Sequence, residues 1–254
     1  MLFSATWWLT IPIVLLGATI SAMSGFGFAI VTTPLMLLLY PPKVAVPMVL
    51  LVSSYGVALQ AWSNRHQADR RLAGGLFLAS LLGMPVGLLI LAVVSGDLLR
   101  LIIGCSTLVG VLITLRRGQA PDGPVQAPSL PVVGGTGFLS GILATATSQS
   151  GIPIVLLMAW TGMEKQRVRA TTFVYFALSA TTGVALHLGY GNLTLQAAGA
   201  ALALAPAYLG GMLIGNAIFR RISQTAFRRL VLAVLSLAAT AGLVTGISAL
   251  IHLG

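Results

Sequence analysis

Acidic side chains are almost missing from this chain: four Asp and Glu stand against 14 Lys and Arg in 254 residues. None of the four lies deep in an apolar run, which disfavours a buried carboxylate as proton carrier and a dedicated divalent-metal pathway. A single cysteine, Cys105, leaves no intrachain disulfide and no cysteine metal cluster. It reads as a small packing residue. Three separated histidines make no metal motif; His66 falls in a basic loop and His252 in the terminal tail, while His187, beside a glycine-rich turn, reads as interfacial. Charged residues amount to only 7% of the chain, too few for the water-facing surface of a soluble enzyme. The apolar runs do not alternate with polar residues, which excludes an outer-membrane barrel. The N-terminus lacks the basic stretch of a cleaved signal peptide, and its apolar run is too long for one. No cofactor and no metal are called for.

What is present is hydrophobic sequence, 57% of all residues. Charge-free runs cover 1–42, 44–64, 72–96, 101–115, 123–163, 170–219 and 230–254. Several exceed the roughly 20 residues needed to cross a bilayer as a helix. Ordinary spans are predicted near 44–63, 73–94, 98–115, 168–187, 194–217 and 229–251, the turn at His187 to Asn192 dividing one long run. The formal charge of +10 comes from small clusters between runs, not from a basic stripe, so nucleic acid is not the expected partner. Placing the loops with Arg65, Arg70 and Arg71; Arg116 and Arg117; Lys165, Arg167 and Arg169; and Arg220, Arg221, Arg228 and Arg229 in the cytoplasm puts 12 basic residues inside. Only Lys43 and Arg100 are then outside. Both termini are periplasmic in this orientation. The group from Glu164 to Arg169 reads as a solvated loop.

With that orientation, regions 5–39 and 129–161 must each begin and end on one side. They are too short for two full-thickness helices and a turn, but suit paired half-helices that enter and return. One tilted, kinked span is the alternative. The two regions match weakly: Ser21-Ala-Met-Ser-Gly-Phe-Gly-Phe-Ala-Ile-Val-Thr-Thr-Pro34 lies without gaps beside Ser140-Gly-Ile-Leu-Ala-Thr-Ala-Thr-Ser-Gln-Ser-Gly-Ile-Pro153, and Gly56-Val-Ala-Leu59 recurs as Gly183-Val-Ala-Leu186. The first hairpin opens outward and the second inward. The expected fold is therefore an all-α polytopic membrane protein of two inverted repeats, each a broken or re-entrant hairpin followed by three spans. Residues 1–118 form the first repeat, 119–128 a cytoplasmic linker and 129–254 the second. Such repeats commonly surround a central site exposed alternately to either face.

The candidate site lies at the hairpins. Ser24, Gly25, Gly27, Thr32, Thr33 and Pro34 combine backbone freedom, hydroxyls and a carbonyl deprived of its helix donor. Thr147, Ser148, Gln149, Ser150 and Pro153 concentrate polar groups in an otherwise apolar stretch. Gln149 is the least suited to lipid and either lines a substrate route or bonds two helices. Ser53, Ser54, Thr171 and Thr172 are secondary candidates. Neutral donors with half-helix amides favour a small oxyanion.

In Gly25-Phe-Gly27, Thr32-Thr-Pro34, the duplicate at Ser140 to Pro153 and the two-half span pattern, the chain resembles the TauE/SafE sulfite-exporter (TSUP) family of membrane permeases over most of 7–251. The second half has Ala144, Ala146 and Thr147 where that family carries more glycine. The resemblance implies a multi-pass permease of the bacterial inner membrane for sulfite, sulfonates, sulfoacetate or related anions. Alternating access, driven by a proton gradient or the membrane potential, is the first expected mechanism. A passive anion channel and a non-transport membrane assembly factor are the alternatives. An enzyme is not expected, membrane lipid is the surrounding partner, and glycine-rich faces would suit a homodimer.

Overall fold

A computed structural model describes residues 5–99, 101–105, 127–158, 161–223, 226 and 233. Most of the spans expected at 98–115 and 229–251, most of the 119–128 linker, and Arg100, Arg116, Arg117, Arg228, Arg229 and His252 lie outside them. The described residues fold entirely as helices and connections. That follows from the composition, because in lipid each backbone group must bond within its own segment.

Among the described residues the main helices are α1 (Ala5–Ser24), α2 (Phe28–Leu37), α3 (Pro42–Asn64), α4 (Arg70–Val93), α5 (Leu130–Thr147), α6 (Gly151–Met158), α7 (Lys165–Gly189), α8 (Leu195–Ala203) and α9 (Ala205–Arg221). Residues 96–99 and 101–105 are also helical. Six stretches among the described residues are long and apolar enough to cross a membrane. Trp62, Leu78, Leu82 and Leu213 stand outward, as lipid-facing side chains do. The expected span at 194–217 bends at Leu204, where Pro206 withholds an amide and crowds the preceding turn. Cys105 is exposed, not packed. Leu99 and Ile103, one turn apart, take the inner face of that segment and leave Cys105 on the other.

The two broken regions differ from matched half-helices. α1 and α5 have 20 and 18 residues, near 30 Å and 27 Å at 1.5 Å per residue, whereas α2 and α6 have 10 and 8. In the first region the chain nevertheless doubles back. Thr10 near the start of α1 is bonded to Tyr40 beyond α2, hydroxyl to hydroxyl at 3.1 Å. The long arm is allowed because its early turns project past the returning one.

Each long arm packs on a helix from the other half of the sequence. Gly83 and Gly87 of α4 face the carbonyls of Phe138 and Ile142 in α5, while Gly137 and Gly141 of α5 face those of Leu76 and Ser80. Gly211 and Gly215 of α9 meet the Leu15 and Thr19 carbonyls of α1 in the same way. Four-residue glycine spacing lets the backbones approach closely, which is how helices associate without a hydrophobic drive between them. Thr145 adds a hydrogen bond to the Met84 carbonyl at 2.7 Å. α3 and α7 lie between these two seams and pack on each other.

At one end of the bundle Asp69 caps α4, accepting from the Leu72 amide at 3.0 Å and from Arg167 at 2.9 Å. The Leu72 amide, followed by Arg167, holds its carboxyl below the usual carboxylate range.

A side chain added within a seam must displace a facing backbone. Gly141→Val is expected to destabilise the protein by about 1–3 kcal/mol or more. Gly134→Ala, with no atom within 4 Å of the added carbon, should be neutral or stabilising by up to about 1 kcal/mol. Thermal unfolding in detergent compares them, and equal melting temperatures would contradict the close seam.

Candidate functional site

The first break is built from glycine. Gly25 and Gly27 have φ of 85° and 106°, left-handed values that side chains resist. Gly25 also leaves no room for one, since an added carbon would lie 2.8 Å from both Arg169 Cα and Thr172 Oγ1. The Gly25 amide closes α1 on the Ser21 carbonyl at 2.8 Å, and the Ser24 hydroxyl donates to Ile20 at 2.8 Å. Gly27 then stands at the N-cap of α2 with nothing to cap it. The first bond beyond it runs from the Val31 amide to the Gly27 carbonyl at 3.0 Å. The amides of Phe28, Ala29 and Ile30 thus form an open, electropositive first turn.

The second break does the same work with hydroxyls. Ser148 ends α5 with φ of 56°, a conformation costing a non-glycine residue about 1–2 kcal/mol. Hydrogen bonds hold it there. Its amide donates to Ala144 and that of Gln149 to Leu143, at 3.1 and 3.2 Å, while its hydroxyl contacts the Thr147 carbonyl at 2.6 Å. Beyond the break, Ser140 donates to the Ser150 carbonyl at 2.6 Å, and Tyr175 of α7 donates to Ser140 at 2.6 Å. This chain fixes the peptide that leads into α6.

The two breaks meet. Thr33 of α2 and Ser148 share a hydrogen bond of 2.7 Å across 115 residues of sequence. Beside them lies a small pocket, bounded by Gly27 to Ile30 at the start of α2 and by Ser148, Ser150 and Gly151 around the start of α6. Ser21 and Ser53 add hydroxyls, and Leu50, Val57, Phe176 and Ala180 form apolar walls. No ionisable side chain is among these lining residues. Among the described residues no three His, Cys, Asp or Glu gather as metal ligands would. Between largely apolar walls the pocket offers a few hydroxyls and helix N-terminal amides, an uncharged set of donors of the kind that binds oxyanions.

Of the expected site residues, Gly27, Ser148 and Ser150 line the pocket directly. Ser24 and Gly25 form the turn behind it, and Thr33 reaches it through Ser148. Thr32 and Pro34 lie farther along α2; the Thr32 hydroxyl is buried without a hydrogen-bond partner. Thr147, Gln149 and Pro153 are buried within the second break and α6. Ser53 joins the lining, whereas Ser54 turns back to the Leu51 carbonyl. Thr171 accepts from the Asp69 amide, and Thr172 packs against Gly25.

Two expectations are corrected. His187 is fully buried instead of interfacial. The turn after it is present, with Asn192 donating to the His187 carbonyl, but α7 runs to Gly189 and carries the ring on the stripe of Phe176, Ala180 and Gly183. Arg169 is likewise buried and outside any solvated loop. Its Nε donates to the Ala22 carbonyl at 2.8 Å, its Nη2 donates to Gln60 Oε1 at 3.1 Å and to Asn216, and its guanidinium lies over Phe219. Helical spacing could have separated Arg169 from its exposed neighbours, because it leads the stripe of Phe173, Phe176 and Ala180. Tyr175 carries no such signal.

The sequence model of the family described as Sulfite exporter TauE/SafE matches residues 10–242. No curated protein and no solved structure matches the chain.

Tyr175→Phe and Ser140→Ala each remove a link from the chain that holds Ser150. Each should cost about 1 kcal/mol. The double variant should cost clearly less than the sum, because the two hydroxyls share one bond. Denaturation in detergent measures the coupling, and strict additivity would contradict the chain.

Proposed function

We propose a transport mechanism for a chain that belongs to the sulfite exporter TauE/SafE family: it moves a small sulfur-containing or organic anion, of the sulfite, sulfonate or sulfoacetate type, across the bacterial cytoplasmic membrane by alternating access. The observation that carries this reading is the convergence of two helix N-termini, those of α2 and α6, on one pocket without a lining charge. Partial positive charge from oriented amides attracts an anion, and the hydroxyls of Ser150 and Ser21, joined by those of Ser148 and Ser53 when they turn from the Thr147 and Leu50 carbonyls, replace part of its hydration. With no fixed cation in the lining, the ion is held by directed dipoles that release it when the walls separate.

The moving parts follow from the packing. Two halves, residues 1–118 and 129–254, exchange their long arms, with α1 against α9 and α5 against α4. This reciprocity supports an inverted pair whose hairpins part alternately toward either face. The same scaffold permits import or export according to the gradient, with a proton gradient or the membrane potential as driving force. Orientation follows the basic loops, which places both termini in the periplasm. A passive channel would need a continuous pore, and the Thr33 to Ser148 contact favours a carrier.

Proteoliposomes of known orientation test the reading with radiolabelled sulfite, with sulfate and taurine as competitors. The expected result is saturable flux with counterflow. Ser148→Ala and Ser150→Ala should each lower it about tenfold or more, the scale of one lost hydrogen bond to a charged group, without loss of folded protein. Absence of flux of sulfite, sulfonates and sulfoacetate under either gradient would overturn the reading, and flux without counterflow would favour a channel.

A further inference from the structure

We propose that Arg169 and Gln60 form a second oxyanion station on the transport route, between the central pocket and the basic end of the bundle. The inference rests on the pocket's being an anion site. It begins from the register of the two central helices. Leu50, Ser53 and Val57 of α3 line the pocket, and Gln60 is the next buried residue on that face. Phe176 and Ala180 of α7 line the opposite wall, and Arg169 continues their stripe through Phe173. α3 and α7 run antiparallel, as the contact of Gly183 with Leu50 and the bond of Arg169 to Gln60 require. Both stripes therefore leave the pocket in the same direction and meet at Arg169 and Gln60, about two turns from Phe176 along α7 and about one turn from Val57 along α3.

What they bring together there is short of negative charge. Arg169 is buried and hydrogen-bonded only to neutral oxygens, those of Ala22, Gln60 and Asn216. Among the described residues Arg167 pairs with Asp69, and no carboxylate pairs with Arg169. Arg220 lies close enough to repel it. A buried cation without a counter-charge is costly, and in membrane proteins such residues commonly mark a substrate or ion pathway. The second observation is Gln60. Its Oε1 faces the guanidinium, so its Nε2 must point elsewhere, and that donor is buried with no hydrogen-bond partner. A guanidinium beside an unused amide N–H is a donor set for one more oxyanion oxygen.

The station has a stated ligand chemistry: a small, compact oxyanion leaving or approaching the pocket, drawn by full charge where the pocket holds it by dipoles. The adjacent Ala22 carbonyl belongs to the last turn of α1, directly before the Gly25 break. An anion that competes for the Arg169 donors would loosen that tie to the first hairpin, so occupation of the station and movement of the hairpin are linked.

Gln60→Glu tests the proposal by supplying the missing anion internally. The full chain in detergent is melted with sodium sulfite or sodium sulfate against gluconate at constant ionic strength, and sulfite flux is measured in parallel. The wild type should gain thermal stability with both oxyanions. Gln60→Glu should melt at the same or a higher temperature without added anion, lose that gain, and raise the sulfite KM about tenfold or more. Gln60→Met, which deletes the unused donor without adding charge, should weaken the anion response several-fold, and it serves if the glutamate variant does not fold. Ser148→Ala should lose flux yet keep a response that Gln60→Glu removes. An unchanged anion response and KM in Gln60→Glu or Gln60→Met would reduce Arg169 to a strut and overturn the proposal, as would a wild type indifferent to both oxyanions. A wild type stabilised through Gln60 but incapable of flux would instead overturn the transport reading and leave the station standing.

Discussion

A helix that stops inside an apolar bundle leaves amides and carbonyls that apolar neighbours cannot satisfy, and this bundle contains two such stops facing one another. Each unsatisfied group in an apolar surrounding costs several kcal/mol, so the breaks persist only where protein surrounds them. The two halves solve the problem differently. Gly25 and Gly27 fold the first break tightly against α7, whereas Ser148 holds a left-handed backbone with bonds to its own helix and to Thr33. In both, the amides that remain at the start of the short helix open on the pocket.

The rest of the architecture supports those breaks. Glycine seams fix α1 on α9 and α5 on α4, so that each hairpin is anchored to the opposite half. α3 and α7 stand between, with small or apolar residues at the pocket and a polar pair, Gln60 and Arg169, one or two turns beyond. On the proposed transport reading, dipoles at the centre and full charge near the end would make a graded path: an anion would be drawn by the long-range field of the cation and selected where the donors are directed.

Much of this was legible in the residues. Charge breaks located α3, α4 and α7 to within a few positions, because a charge-free run bounded by Arg, Asp or Lys marks where a span reaches water. The hairpin tips were legible because Gly25, Gly27 and the Ser148 to Ser150 run are poor helix interior and conspicuous among aliphatic residues. The unequal arms were not, since length alone cannot show that Thr10 returns to the level of Tyr40. Arg169 was hidden in a basic cluster whose members differ only in the face they take, and Gln60 in the polar end of a span. His187 was misjudged because a neighbouring turn says where a helix ends, not which way its last side chains point. Cys105 shows the same limit: an apolar run has both a packed and an outward face.

The meeting of the two hairpins is the claim on which the pocket, the transport reading and the station all depend. Its most direct test places cysteines at Thr33 and Ser148 in a Cys105→Ser background, oxidises intact membranes mildly, and identifies the cross-linked peptides by mass spectrometry. Hydroxyls 2.7 Å apart predict a disulfide between positions 33 and 148, and none between Thr33→Cys and a cysteine introduced at the outward-facing Leu82. Two free thiols at 33 and 148, both open to alkylation after oxidation, would contradict the account.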